Sequence, residues 1–447
     1  MATPGDEFQD LNADRRSHAY RENTGNSLRN TGLHPRGFSL RQAATPWAGA
    51  MSEQIGLIGT HWSKGWIIEN NDVNHSICTG VTLGRYELPK GKMPPATAPG
   101  YITSIEYALR DGWSKEKIGG HIVRNNHISH CEKNGIHGSL GGCFSEISGN
   151  EIHDIAASGW LKGADIAGVK LLGGIDCGIS RNHIYRTRRG LWLDWMAQGT
   201  RISRNLLHDN TMEEDAFFEV DHGPILVENN IFLSPVSLHS RSQGTAFVHN
   251  LYAGALNVFP FDGRKTPFHK PHSTEIAGLH DNPCGDDRYY NNIFVGRPDL
   301  NWYPTRRLAG LSVEEFAKCD DLSAYDSARL PVWMDGNVFL RGSKPCRQEA
   351  APLVKPEFDP GIKLIEKKDG WYLEFTLGTA LAEQRARKLV TTGLLGQAAI
   401  PNAAYEQPDG APLAIATDYF GNRRNELNPT AGPFENPGQG ELKLKVW

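Results

Sequence analysis

The 447-residue sequence has no apolar stretch longer than a strand, which excludes a transmembrane helix. It has no surplus of either charge: 47 basic and 51 acidic residues leave a net −4, too even for a nucleic-acid or anionic-membrane surface. Cysteine is scarce and unpaired, with seven scattered residues and no Cys-x-x-Cys, so neither a disulfide framework nor a zinc site is expected. Residues 1–36 contain no apolar signal segment, and with free thiols this points to the cytoplasm. His127 and His130 lie close together, but nothing nearby completes a ligand set; no metal and no cofactor is expected.

Turn residues, by contrast, are abundant. Forty-eight glycines and 26 prolines fit many short strands better than long helices. One pattern recurs along the chain: a polar residue or Gly, then Asn, then an apolar strand. The anchors are Asn71, Asn126, Asn150, Asn182, Asn205, Asn230, Asn250, Asn292 and Asn337. The compact intervals are 24, 23, 25 and 20 residues, and the longer ones (55, 32, 42 and 45) fit one or two units plus an insertion.

A period of 20 to 25 residues with three short strands is the pattern of an all-β right-handed parallel β-helix. The anchor Asn is expected to adopt the left-handed turn conformation and to bond the Asn of the next coil. A leucine-rich horseshoe would need a Leu-x-x-Leu-x-Leu frame, which is missing. Residues 1–36 read as a disordered or atypical segment, 37–345 as the β-helix, and 346–447 as C-terminal strands and loops packed on it. Closing strands are expected at 371–377, 388–395 and 413–416.

Two segments 25 residues apart deliver one carboxylate each from the same position: Gly190-Leu191-Trp192-Leu193-Asp194-Trp195 and Ala216-Phe217-Phe218-Glu219-Val220-Asp221. Asp194 and Glu219 each lie 11 residues before an anchor Asn, as does His239, which predicts one outward column for all three. Stacked in register, Leu191 meets Ala216 and Leu193 meets Phe218 inside, while Trp192, Asp194, Phe217 and Glu219 face outward. Adjacent parallel strands lie ~4.8 Å apart, so the carboxyls fall near ~5 Å. That separation suits a retaining glycosidase, since an inverting one needs roughly 6.5–9.5 Å. Like charges on neighbouring rungs repel and split their proton affinities, as an acid/nucleophile pair requires.

The sequence resembles glycoside hydrolase family 120, the β-helix β-xylosidases, from about residue 37 to the C-terminus. The likeness rests on residues 53–66 (EQIGLIGTHWSKGW), 125–131 (NNHISHC), 192–201 (WLDWMAQGTR) and 219–224 (EVDHGP). It implies a retaining exo-acting β-xylosidase working on xylobiose and short xylo-oligosaccharides, with Asp194 as nucleophile and Glu219 as acid/base. Glu219, as the acid, must begin protonated. Relatives carry a His-Glu-Ile-Ala-Gly-Ile-Lys-type segment where this chain has residues 164–170 (ADIAGVK). Asp165 thus keeps a carboxylate for sugar hydroxyls while Ala164 replaces an imidazole.

Trp62, Trp192, Trp195, His222, His239 and His272 are further candidates for the sugar pocket. Arg264 and its neighbours fall in an interval long enough for a loop over the active face. Family members are longer at the front, with earlier coils and an immunoglobulin-like module, and residues 1–36 do not resemble those coils. A chain lacking the family's N-terminal portion, folding poorly or inactive, is therefore expected. A homo-oligomer is compatible with the sequence. Two other readings stay open: a β-helix polysaccharide lyase, with Lys170, Arg188 or Arg189 as base, and a non-catalytic carbohydrate-binding β-helix.

Overall fold

The structure, a computed structural model, describes residues 31–48, 54–86, 98–161, 163, 165–210, 214–297, 321–377 and 386–447. Its body is a parallel β-helix of three sheets. Eight strands form the acid sheet; they include β1 (Ala167–Leu172), β2 (Leu191–Asp194), β3 (Ala216–Glu219) and β4 (Val236–Arg241). A turn leads to the nine-stranded middle sheet, which holds Glu146–Ser148, Gly178–Ser180, Arg201–Ser203 and Ile225–Glu228. A second turn, at the anchor Asn, leads to the eleven-stranded Asn sheet, which holds His183–Tyr185, Leu206–His208 and Ile231–Phe232.

Each short strand places one or two apolar side chains inside, and identical positions stack coil on coil. Ile147, Ile179, Ile202 and Val227 form such a column in the middle sheet. In the Asn sheet Phe232, Tyr252, Phe294 and Phe339 stack at 5.1 Å between successive ring centroids. Such a strand cannot bury its apolar face alone, so stability comes from stacking neighbours.

The anchor asparagines form an unbroken ladder. From Asn71 to Asn337 each side-chain amide donates to the next Oδ1 at 2.9–3.1 Å. Glu349 ends it by accepting from Asn337 at 2.7 Å. The left-handed residue, however, is the one before each anchor, for instance Asn125, Arg181, Arg204 and His249 (φ 51–57°). The anchor turns its amide inward to serve the ladder, so its neighbour at the corner takes the reversal. That corner faces outward, which is why Arg and His are accommodated there.

The C-terminal part covers two of the three outward faces. An antiparallel sheet of Lys363–Lys367, Gly370–Thr376 and Glu441–Lys445 lies on the Asn sheet, burying Leu206, Ile231, Leu251 and Ile293 against Leu373, Phe375 and Phe434. Val390, Leu395, Tyr405 and Ile415 cover Leu226, Ala246 and Val248 of the middle sheet. Of the expected closing strands, only 371–377 matches an observed one (Gly370–Thr376); Thr392–Leu395 is a single helical turn and 413–416 makes only isolated bridges. The Asn sheet continues past residue 345 through Leu353–Lys355. Residues 1–30, most of the segment expected to be disordered, lie outside the described residues. Residues 32–35 already bond to the first coil, with Ile67 N donating to Leu33 O at 2.9 Å and Glu69 N to Pro35 O at 3.1 Å.

Candidate active site

β2 and β3 pair in the expected register: Leu191 on Ala216, Trp192 on Phe217, Leu193 on Phe218 and Asp194 on Glu219. Gly190 makes that stacking possible, because a Cβ there would stand 2.4 Å from Asp215 O. Both acids end their strands. The residues that follow, Trp195 (φ 48°) and Val220 (φ 61°), are left-handed, as are Leu140 and Gly173 at the same corner of earlier coils. For a β-branched residue this conformation costs of order 1–3 kcal/mol and persists only where the surroundings impose it. The coil corner thus presents the two carboxylates side by side at the rim of the sheet.

Asp194 is 6% exposed. Its Oδ2 accepts from Lys170 Nζ at 2.8 Å, while its buried Oδ1 has no partner. Burial pushes the carboxyl up to about 7; Lys170 opposes this and the charge of Glu219 reinforces it. Lys170 is itself fully buried, bonded also to Asp165 and seated 3.5 Å over the Trp192 ring. Burial alone would lower its proton affinity, but Asp194 and Asp165 raise it on balance, so it stays an ammonium. Asp165, held in a left-handed conformation (φ 66°), keeps its carboxylate ionised because Lys170 outweighs burial. Ala164 lies outside the described residues.

Glu219 Oε1 accepts from Arg264 Nη1 at 2.7 Å. Asp262 grips the same guanidinium at Nε (3.0 Å) and Nη2 (2.8 Å), and Arg241, level with Glu219 on β4, lies 3.3 Å from Asp262. Asp194, buried in the rung below, is driven toward protonation. The carboxyl of Glu219 faces a fixed cation.

The mid-strand outward column reads His137, Lys170, Trp192, Phe217 and His239. This corrects the expected column: His239 stands opposite Phe217, and Arg241 occupies the place beside Glu219. The cause is the turn after β4, which reaches its anchor in nine residues where the turn after β3 takes 11. His239 packs tilted against Phe217 at 4.3 Å and stacks on Phe259 at 5.1 Å. Both its ring nitrogens are buried without a hydrogen bond; Nδ1 lies 3.7 Å from Glu214, which pairs with Arg189 at 2.5 Å. Trp192 faces outward but is covered, between Lys170 and Arg189, and its indole N–H also has no partner. Unpaired buried polar atoms of Trp192, Asp194 and His239 on one face are what a hydroxyl-rich ligand would satisfy.

A hairpin of β5 (Lys265–His269) and β6 (Ile276–Asp281) rises from Arg264. Gln198 clamps its backbone at His269 (2.9 and 3.0 Å), and His222 bonds Thr266 O at 3.1 Å and Gln243 at 2.8 Å. His222 is neutral, since burial lowers it to about 4. His272, near the hairpin tip, bonds Asp176 at 2.9 Å and Glu406 at 3.2 Å. Both imidazoles thus spend their nitrogens on protein partners. Trp195 and Trp62 pack into a cluster with Tyr101 and Ile105 of helix α1 (Ala98–Arg110), with Trp195 edge-on to Tyr101 at 6.2 Å. Sequence reasoning singles out neither Lys170 nor Arg264 as a sugar-site residue. Counting back one strand register from Trp192 would place Lys170; Arg264 is expected only as part of a loop over the active face, and nothing local points to its pairing with Glu219.

The acid pair thus stands on adjacent rungs of a parallel β-helix, flanked by Lys170 and Arg264. Residues 105–251 match the family described as the right handed beta helix region. The solved structure of XylC in complex with xylose aligns with a TM-score of 0.80 and 38% identity, over 94% of this chain and 67% of that one. The comparison with curated proteins finds no match. The chain belongs to the family of XylC, with a glycoside hydrolase family 120-like β-helix.

Proposed function

We propose that the chain is a retaining, exo-acting β-xylosidase that hydrolyses xylobiose and short xylo-oligosaccharides. The single observation that carries this reading is the register of Asp194 with Glu219 on neighbouring rungs. Strands ~4.8 Å apart leave no space for a water between the acids, which favours a covalent intermediate. Likeness to a protein solved with xylose supports the pentose.

Asp194 attacks the anomeric carbon while Glu219 gives its proton to the leaving oxygen; Glu219 then takes a proton from water, which releases the sugar from Asp194. The first step needs Asp194 ionised. Lys170, at 2.8 Å and cationic, favours that form. It also needs the proton on Glu219, so the leaving group must displace Arg264 from Oε1 as it enters. Asp165, fixed by Lys170, accepts from sugar hydroxyls. On this reading the protein works in the cytoplasm, where its six buried, free described cysteines stay reduced.

A lyase base must be neutral, and Lys170 is held charged between two carboxylates, so the lyase reading is the weaker one. The test is a panel of nitrophenyl glycosides with wild type, Asp194→Asn and Glu219→Gln. Xyloside turnover lost in both variants is expected, with azide restoring a Glu219→Ala variant and yielding the β-xylosyl azide. An ultraviolet-absorbing unsaturated product would establish a lyase. Unchanged behaviour of Asp194→Asn would leave only a binding role.

A further inference from the structure

A second groove lies on the outward face of the middle sheet, where the C-terminal cover stops. The rungs from Leu226 onward are buried under Leu395, Tyr405 and Leu413, while the preceding rungs Gly178–Ser180 and Arg201–Ser203 line a cavity of about 450 Å³. A neighbouring cavity of about 410 Å³ shares Asp176, Gly178 and Arg201 with it and reaches Tyr405 and His272. Volumes of this size are typical of small-ligand sites.

Arg181 and Arg204 hold the same corner position on consecutive coils, each just before a ladder Asn and each left-handed. They are therefore like charges one rung apart, ~4.8 Å at the backbone. Arg201 is answered by Glu228, at 2.9 Å. Arg181 is exposed and forms no ion pair among the described residues. Arg204 donates to the Thr417 hydroxyl at 2.5 Å, but its buried Nε has no partner. Burial weakens its hold on its proton, and the charges of Arg181 and Arg201 act the same way against Glu228. Beyond the arginines the lining is mixed: Lys115, 5.2 Å over the Phe144 ring, the hydroxyls of Ser180 and Ser203, and the carboxylates of Glu146, Asp176 and Glu228. Tyr405, 2% exposed, lines the far end and its buried hydroxyl is unpaired.

The four cations of the groove (Lys115, Arg181, Arg201 and Arg204) against three carboxylates (Glu146, Asp176 and Glu228) leave one positive charge, which with the hydroxyls fits a polyhydroxylated ligand carrying a single negative group. A phosphate dianion would be repelled by Glu146 and Asp176. We propose that this groove is a second, non-catalytic site for an acidic oligosaccharide, its carboxylate on Arg181 and Arg204 and its neutral sugars along Ser180, Ser203 and Tyr405. The groove stands apart from the chemistry at Asp194, but the one equivalent of xylotriose expected there rests on the proposed function: one equivalent of the acidic saccharide with none of xylotriose would refute that function and leave the groove in place.

Calorimetric titration of the full chain carrying Asp194→Asn, which prevents hydrolysis, tests it with three probes: xylotriose bearing a glucuronic acid, plain xylotriose, and inorganic phosphate. Two equivalents of the acidic saccharide are expected against one of xylotriose, with phosphate at least tenfold weaker than the acidic saccharide. Adding Arg181→Gln and Arg204→Gln should weaken the extra event at least tenfold, while nitrophenyl xyloside turnover of the otherwise wild-type chain stays unchanged. If the double variant does not fold, rising salt on the unsubstituted groove separates the same outcomes: the extra event should fade and plain xylotriose binding should not. Equal stoichiometry for both saccharides, phosphate as tight as the acidic one, or an extra event indifferent to both the substitutions and salt would overturn the proposal.

Discussion

In the later coils of the Asn sheet the outward positions include Leu206, Ile231, Leu251, Ile293 and Val338, sealed beneath Leu373, Phe375 and Phe434. One sheet away, the same backbone geometry presents Lys170, Trp192, Asp194, Phe217, Glu219 and His239. The coils are shared, so the difference lies wholly in which side chains face out and what covers them. The apolar face gains from burial. The acid face instead holds charges under cover and satisfies them only in part, which marks it as the face kept for chemistry.

Substitutions on the two faces should therefore separate activity from stability. Asp194→Asn is expected to have the largest effect: turnover falls further than the roughly 10²–10⁴-fold that Glu219→Gln costs as loss of an acid/base, with the cooperative melt retained. On the covered face Leu373→Ala should lower stability by about 2–5 kcal/mol, the usual cost of such a cavity, and leave KM for a nitrophenyl xyloside unchanged. A Leu373→Ala protein with normal stability and altered KM would break the contrast.

Lys170→Met removes the cation that opposes the rise of Asp194, so the acidic limb of kcat/KM, expected near 7, should move to higher pH. A limb that stays in place would show that Lys170 does not hold the nucleophile ionised.

A smaller effect concerns the whole fold. Burial raises Asp194, Asp215 and Glu349 to about 7 and Asp287 to about 8. A raised folded value favours the protonated native state. The contribution of these groups is full below about 4 and is lost as pH climbs through 7 to 8. Buried histidines such as His222, lowered to about 4, act in the opposite sense up to about pH 6.5, so the contribution of the acid is read as a difference: relative to Asp194→Asn, the wild type should lose about 1–3 kcal/mol of stability between pH 5 and pH 8.

Much of this is legible in the sequence because a β-helix repeats one rule. The interval between asparagines sets the coil, and the coil sets Asp194 beside Glu219 without knowledge of any distant contact. What the repeat does not encode stays hidden. The turn after β4 is two residues shorter than the turn after β3, so counting back from Asn250 puts His239 in the wrong column. Arg264 reaches Glu219 from an insertion held by Gln198 and His222; the sequence offers His222 as a pocket residue, yet both spend their side chains on the hairpin backbone. His272 reads as a pocket residue, yet the hairpin carries it to Asp176 and Glu406. The C-terminal cover follows no repeat, so its one-turn helix over 392–395 reads as a strand from the sequence alone.

The central claim is that stacking on adjacent rungs holds Asp194 and Glu219 too close for a water between them, so that the sugar passes through Asp194. Proton NMR of the first xylose released from a β-xyloside, read before mutarotation, tests it directly. The β anomer is expected. The α anomer would mean a single displacement by water, and would contradict both the assigned roles and the spacing from which they follow.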